Sequence, residues 1–421
     1  MPANTIINVK LFGEEIGRIG RDAHAQQSSF QYNPDYLEQS NLTQIFPKTG
    51  IIRRTQYVQL FRQFDSETFK GIPPQFADSL PDVFGSIIFK AWLSNRDQSS
   101  ISVLEQLAYV GKRGMGALEY SPIKQLSDNT TIDLDETIDV LKSVLDLKQT
   151  TQQKDLGHQS LLNIFKIGTS AGGARPKILI SEHKQEGTII PGDLEVSDDY
   201  HHYLVKLDLG DDANYPRQII EYCYYQTLKK LGIQMMESKL IEDKHFATLR
   251  YDRQHGEKQH VLTATGMTGW DYKDPVMSTY ENLFNLCSYL KLSHAEIQEL
   301  YKRMVFNVIY GNSDDHLKNH SFIYDREQDR WRLSPVYDVT YALNPLLNIK
   351  SPNRALSLNG KRNSITLEDV LSIADAYTIK DPKGIIREVQ SQRDGLIATL
   401  AEHDVPPVVI EAMSETIVPL V

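Results

Sequence analysis

NVIYGNSDDHLKNHS, residues Asn307 to Ser321, is the stretch on which the fold is decided. An apolar run with helical character, Met304 to Ile309, feeds into it and stops at Gly311. The polar residues Asn312, Ser313, Asp314, Asp315, His316, Lys318 and Asn319 follow, and then the strand-like Phe322-Ile323-Tyr324. A second piece, Trp331-Arg332-Leu333-Ser334-Pro335-Val336-Tyr337-Asp338, lies shortly downstream. A carboxylate, an Asn five residues on, a short hairpin and then an Asp is the order that phosphoryl transfer requires. One Asp orients or deprotonates the attacking hydroxyl, and the Asn and the later Asp hold Mg²⁺ on the nucleotide phosphates. Asp314, Asn319 and Asp338 fill those roles in order, and the Asp314–Asn319 spacing matches the catalytic loop of protein kinases.

Other readings of the same residues exist. Asn, Asp and Ser after a Gly are ordinary turn residues. His316 and His320 lie four apart, as two ligands on one helix face would, which is the basis of a metal-dependent hydrolase reading. The zinc-protease pattern needs Glu directly after the first His, where Leu317 stands. An EF-hand needs alternating acidic groups and a closing Glu, which are missing.

The chain of 421 residues is long enough for two or three units. Its apolar content of 40% and charged content of 24% are those of a globular protein. A net charge of −10 argues against direct coating of nucleic acid. Cys223 and Cys287 lie in apolar runs and make no disulfide or metal framework. The start has no signal-peptide pattern and no apolar run reaches the roughly 20 residues of a membrane span, so a cytoplasmic location is expected.

Along the chain, residues 5–20 read as a hairpin around Gly13, and residues 40–75 alternate short apolar pieces with Pro and Gly. Asp82 to Leu93 and Val103 to Val110 read as helices, the second ending at Gly111. Gly114-Met115-Gly116-Ala117-Leu118-Glu119-Tyr120 resembles a strand. This first unit holds no clustered acid–base groups and is expected to be a scaffold or docking module. A polar region around a helix at Asp133–Leu147 follows, with a boundary expected at Lys148–Lys154.

Gly168-Thr169-Ser170-Ala171-Gly172-Gly173-Ala174-Arg175-Pro176-Lys177 precedes the strand Ile178-Leu179-Ile180. Its small residues let backbone amides approach phosphate oxygens, and Arg175 and Lys177 add positive charge. The plainer reading is a hairpin turn. Tyr203-Leu204-Val205-Lys206-Leu207 sets one Lys in an apolar strand, where it either pairs or, on an edge strand, snorkels to solvent. Asn214 to Gly232 reads as a helix carrying Glu221, either the partner of such a Lys or part of a solvated face. Phe246 to Arg253 reads as a strand running into a polar turn, and Tyr280 to Val421 as mostly helical, interrupted by the Asn307–Ser321 stretch and a loop region at Asn344–Asn363.

Taken together, the elements stand in kinase order, and the sequence resembles the HipA family of bacterial serine/threonine kinases, the toxins of type II toxin–antitoxin pairs. Leu80-Pro81-Asp82-Val83-Phe84-Gly85 and Gly114-Met115-Gly116-Ala117-Leu118 resemble that family's N-terminal subdomain. Asp314-Asp315-His316-Leu317-Lys318-Asn319 is similar to its Asp-Gly-His-Ala-Lys-Asn catalytic loop, and Pro335-Val336-Tyr337-Asp338 to its metal-binding segment. Asp315 stands where the family has Gly, a change expected to alter how tightly the loop turns.

The resemblance implies an α+β, bilobal, protein-kinase-like fold. Its expected parts are an N-terminal subdomain (1–125), an N-lobe with Gly-rich loop and strand Lys (126–255) and a helical C-lobe (256–421). It implies Asp314 as catalytic residue. ATP would be bound by Gly172, Gly173, Ala174, Arg175, Pro176, Lys177, Lys206, Leu249, Arg250, Tyr251, His316, Lys318, Asn319, Tyr337 and Asp338. Asn319 and Asp338 would hold Mg²⁺, and Glu221 would form a structural ion pair. Ser170 or its neighbour Thr169 would be autophosphorylated, ejecting the loop and silencing the enzyme. The implied substrate is an aminoacyl-tRNA synthetase, whose modification stops translation and growth. The implied partner is a helix-turn-helix antitoxin of the HipB type that brings operator DNA. The rival reading is a non-catalytic corepressor that only binds the antitoxin on DNA.

Overall fold

A computed structural model describes residues 6–22, 27–38, 45–47, 51–81, 86, 101–122, 137–139, 175–192, 197–210, 214–342, 353–417 and 419–420. All but Ser86 of the expected helix at Asp82–Leu93, all but residues 137–139 of the expected helix at Asp133–Leu147, and the boundary at Lys148–Lys154 lie outside them. The chain folds into two compact units. One comprises residues 1–209, 247–262 and 266–269, and the other 210–246, 263–265 and 270–421.

The first unit opens with the expected hairpin, β1 (Ile6–Leu11) and β2 (Glu14–Asp22). Phe12 and Gly13 both have positive φ, 51° and 83°, as a two-residue turn with matching strand twist demands. β3 (Gln27–Tyr32), β4 (Gln59–Phe61) and β5 (Leu118–Ser121) complete a sheet in the order β4-β3-β2-β1-β5. Ile7, Val9 and Leu11 alternate inward and are buried together with Ile19, Phe30 and Tyr120. The helix Val103–Val110 ends at Gly111 as expected, and Ser102 and Glu105 form a capping box at its start.

Later in the same unit β6 (Lys177–His183), β7 (Ile189–Pro191) and β8 (Tyr200–Lys206) appear. β6 is paired to β7 on one side and β8 on the other. β8 is therefore an interior strand, with the strand His245–Leu249 along its other edge.

The second unit is mainly helical. Its helices include Arg217–Lys230, Tyr280–Tyr289, His294–Ile309, Leu367–Ala376, Pro382–Gln390, Arg393–Glu402 and Pro407–Thr416. His294–Ile309 begins at a Ser293/Glu296 capping box, and its buried face includes Leu300, Met304, Val305 and Ile309. Gly311 follows at φ 68°, where a Cβ would come within 2.9 Å of the Tyr341 ring, so a side chain is excluded both by backbone and by space. The expected hairpin is Ser321–Asp325 against Arg330–Leu333.

Candidate active site

The loop between His294–Ile309 and the hairpin is built around a buried frame that leaves Asp314 exposed. Leu317 is fully buried and anchors a single 3-10 turn, Leu317–Asn319. Asn319 Nδ2 donates to the carbonyl of Asp314 at 2.8 Å. That bond fixes the amide's orientation and leaves Oδ1 as its acceptor, the atom a hard cation would take. The Asn319 amide N–H closes the turn on His316 O at 2.8 Å.

Asp338 is positioned from the other side of the hairpin. Ser334 N donates to Ser321 O at 3.0 Å, and the buried Arg303 donates to Ser334 O at 2.8 Å. Val336 N donates to Gln234 O at 2.7 Å, within a parallel bridge between Met235 and Val336. Tyr337 Oη is within hydrogen-bond distance of Ser321 Oγ and donates to Lys318 O at 2.7 Å, tying the backbone of the Asp314–Asn319 loop to the segment before Asp338. Asp338 itself takes φ 58°. Asp tolerates that left-handed conformation better than most residues, and strained backbone of this kind gathers at functional sites. One amide oxygen and one carboxylate on two rigidly tied segments fit Mg²⁺, which keeps most of its remaining positions for water and phosphate oxygens. Among the described residues, no cluster of three or more His, Cys, Asp or Glu could hold a metal by itself.

His316 packs its ring on Tyr272, with centroids 5.0 Å apart, and Lys318 Nζ lies 5.4 Å from the centre of the same ring. His320 turns the other way. It is buried, its Nε2 lies 3.3 Å from Asp315 O, and burial pushes its pKa down to about 4. The two His side chains that motivated a metal reading are thus engaged with different neighbours.

Asp315 corrects the expectation attached to it. It does not take a left-handed backbone, so its residue type does not loosen a glycine turn. It is a buried anchor instead. Its carboxylate pairs with Arg354 at 2.6 Å and accepts hydrogen bonds from the Tyr280 hydroxyl and from Leu356 N. Burial and the neighbouring Asp315 raise the Tyr280 phenol well above its usual pKa, so it stays protonated as the donor. Asn312 Nδ2 donates to Asn307 Oδ1, and Asn307 Nδ2 donates to Tyr280 Oη, extending the network into the helix. This network was missed in the sequence because Arg354 falls in a stretch that reads as plain loop.

In the first unit, Lys177 and Lys206 are direct cross-strand partners on β6 and β8, only 3% and 9% exposed. The reading of Lys206 as an edge-strand residue snorkelling to solvent is overturned, because β8 is interior. As directly paired residues of neighbouring strands, their side chains leave the same face of the sheet. Pro176 accepts from Leu207 N at 3.1 Å, extending the ladder one residue, and Arg175 is exposed. Thr169, Ser170, Gly172, Gly173 and Ala174 lie outside the described residues.

The segment Leu249-Arg250-Tyr251, expected to bind ATP, is more constrained than its sequence implied. Arg250 N donates to His202 O at 2.8 Å. Its guanidinium grips both Asp252 oxygens, at 2.9 and 2.8 Å. Arg253 adds a third bond to Asp252 at 2.7 Å and donates to the carbonyls of Gly114 and Gly116, while Gly116 N donates to Asp252 Oδ2. Burial pushes the Asp252 carboxyl up, but the two guanidiniums outweigh it and hold the group well below the usual carboxylate range. The polar turn after the strand is therefore a buried ion cluster that clasps the Gly114-Met115-Gly116 loop. In the second unit, Glu221 is 2% exposed, which overturns the solvated-face reading.

Comparison with known proteins agrees with this architecture. Residues 7–121 match the HipA N-terminal domain, and residues 169–396 the HipA-like C-terminal domain. A chain of the Shewanella oneidensis MR-1 complex of HipA, HipB and operator DNA superposes with a TM-score of 0.63 at 15% identity, over 98% of this chain and 96% of that one. The Helicobacter pylori proinflammatory kinase CtkA aligns at a TM-score of 0.36 and 11% identity, over 52% of this chain and 83% of that one. The Haemophilus influenzae protein described as "Putative kinase" is 27% identical over 137 residues, 28% of this chain, and the match spans 39% of that relative's length. The mixed α+β fold is that of HipA, and with both domain models matched, one of them over more than half of the 421 residues, the chain belongs to the HipA family.

Proposed function

We propose that this protein is a Mg²⁺-ATP-dependent serine/threonine kinase and the toxin of a toxin–antitoxin pair. The observation that carries the reading is the loop in which Asp314 is exposed while Asn319, oriented by the Asp314 carbonyl, keeps its Oδ1 as an acceptor. Asp314 accepts a hydrogen bond from the substrate hydroxyl and takes its proton as the hydroxyl oxygen bonds to the γ-phosphorus. The bond from that phosphorus to the bridging oxygen breaks, and ADP leaves. Asn319 and Asp338 would hold Mg²⁺, which when bound would offset negative charge on the phosphates. Lys177 and Lys206, cross-strand partners on one sheet face, would supply positive charge to a nucleotide's phosphates, and Leu249 to Tyr251 would contact its adenine. By the family's pattern, Gly172 to Pro176, His316, Lys318 and Tyr337 would serve the nucleotide's phosphates, and Glu221 would form a structural ion pair.

In this reading the substrate is an aminoacyl-tRNA synthetase, and phosphate on Ser170 or Thr169 switches the enzyme off. The added charge of about −1.5 to −2 favours expulsion of the loop from a site that binds phosphates. The antitoxin is a helix-turn-helix protein of the HipB type, consistent with the presence of HipB and operator DNA in the Shewanella oneidensis complex. An acidic chain suits a partner that supplies the DNA contacts. Controlled expression in a bacterial host, followed by quantitative phosphoproteomics, tests the assignment. Growth arrest with new phosphate on a synthetase supports it. Arrest with an unchanged phosphoproteome defeats it.

A further inference from the structure

The chain beyond Asp338 returns to the catalytic loop and frames it. Arg354 donates to Asn307 O at 3.2 Å, to Asn312 O at 2.9 Å and to Asp315 Oδ2 at 2.6 Å. Ala355 N donates to Ser313 O at 2.8 Å, and Leu356 N reaches Asp315 Oδ1 at 3.4 Å. Backbone two residues before Asp314, backbone one residue before it, and the side chain one residue after it are thus held by three consecutive residues. The frame is itself fixed. Arg362 donates to the carbonyls of Arg354, Ala355, Pro275 and Ser278, and Ser357 N donates to Ser278 O at 3.0 Å. Tyr280, two residues past Ser278, closes the loop on Asp315.

We propose that Asp315 and Arg354 are positioning residues for phosphoryl transfer, a clamp that holds the backbone before Asp314 and the side chain after it so that the Asp314 carboxylate meets the substrate hydroxyl in one orientation. The inference rests on the role given to Asp314 above. Fold stability alone is a poor reason for such a pair, since buried ion pairs are often replaceable by apolar residues without loss. A planar guanidinium reaches three fixed acceptors at once, which an ammonium on a flexible stem does not. Misplacement of a reacting group by about 1 Å costs on the order of 100-fold in rate. Kinases often order the chain after the metal Asp by adding phosphate; here two arginines of that segment supply the contacts.

Three variants test the clamp: Arg354→Lys, Asp315→Asn and the apolar double variant Asp315→Leu/Arg354→Met. Each is followed by melting temperature, by kcat and KM for ATP, and by hydrogen exchange of peptides spanning 312–319. The clamp requires kcat to fall by about tenfold or more with KM for ATP within about threefold. Exchange across 312–319 should quicken in Arg354→Lys, and the double variant should recover melting temperature without recovering kcat. Unchanged exchange in Arg354→Lys overturns the proposal, and so does a double variant that recovers kcat together with stability, because the pair would then be structural only. A wild-type protein that transfers no phosphate refutes the role of Asp314, while the exchange measurement still decides whether the clamp exists.

Discussion

Asp252→Ala probes the ion cluster that fixes the Leu249–Tyr251 segment. The substitution removes a carboxylate that accepts two bonds from Arg250, one from Arg253 and one from Gly116 N. It leaves two guanidiniums in a site where their side chains are 0% and 1% exposed. Breaking one buried pair costs about 3–5 kcal/mol. Two cations lose their partner here, but Arg250 keeps Gly192 O, and Arg253 keeps Gly114 O and Gly116 O. A net loss of about 4–6 kcal/mol follows, against about 5–15 kcal/mol for a whole domain. Urea unfolding followed by far-ultraviolet circular dichroism should show the transition of the first unit displaced by about 2 M or more, at a slope of about 2 kcal/mol/M. The folded-state pKa of Asp252 is depressed, so its contribution is complete above the unfolded carboxyl range and is lost only as pH falls below about 4. The displacement should therefore be the same at pH 6 and pH 8. A shift under about 0.5 M would mean that water replaces the carboxylate at little cost, and the cluster would then not be what holds this segment.

Further outcomes follow from the same contacts. Lys206→Met should lower Mg²⁺-ATP affinity by about tenfold or more, through loss of a partly desolvated charge on the phosphates; calorimetric titration giving a wild-type Kd would remove Lys206 from the site. Asn319→Ala and Asp338→Ala each delete one oxygen ligand, so both should raise the Mg²⁺ concentration needed for half-maximal turnover, Asp338→Ala more because it deletes a charge; coincident magnesium titrations would contradict the metal role. Burial pushes His260 and His320 down to about 4, so both rings are neutral when folded. The unfolded chain takes those protons first, and stability should fall as pH drops from about 6.5 to about 4, by up to about 3 kcal/mol per ring. His260→Gln should flatten that slope, and an unchanged slope in urea titrations at pH 7 and pH 5 would show that the ring is not protonated on unfolding.

Elements with a local signature were legible in the sequence. The helix ending before Gly311, the hairpin carrying Phe322 to Tyr324, and the strands around Ile178 and Val205 follow from periodicity and turn residues, and each is present. What local pattern does not carry is the distant partner. Asp315 looked like a substituted glycine because Arg354, its counter-ion, lies 39 residues on in a stretch without periodicity. Lys206 and Glu221 each allowed a solvent-exposed reading because a single strand or helix does not reveal what covers it. Asp252 looked like a turn residue for the same reason, since Gly116 precedes it by 136 residues. The Asp314–Asn319 loop was recognisable because its polar pattern is packed into six residues, whereas the frame that holds it is assembled from distant parts of the chain.

The claim that this fold works as a phosphotransferase rests on Asp314. The direct measurement is transfer of labelled γ-phosphate from Mg²⁺-ATP by the purified wild-type protein and by Asp314→Asn, with the variant's melting temperature checked against wild type. An amide neither accepts the hydroxyl proton nor carries the charge that orients it. Wild type should incorporate label into itself and into an added protein substrate, and a folded Asp314→Asn should lose at least about 100-fold of that rate. Equal incorporation by the two proteins, or none by wild type, would contradict the account, and the second outcome would point to a kinase-like scaffold that binds its partner without chemistry.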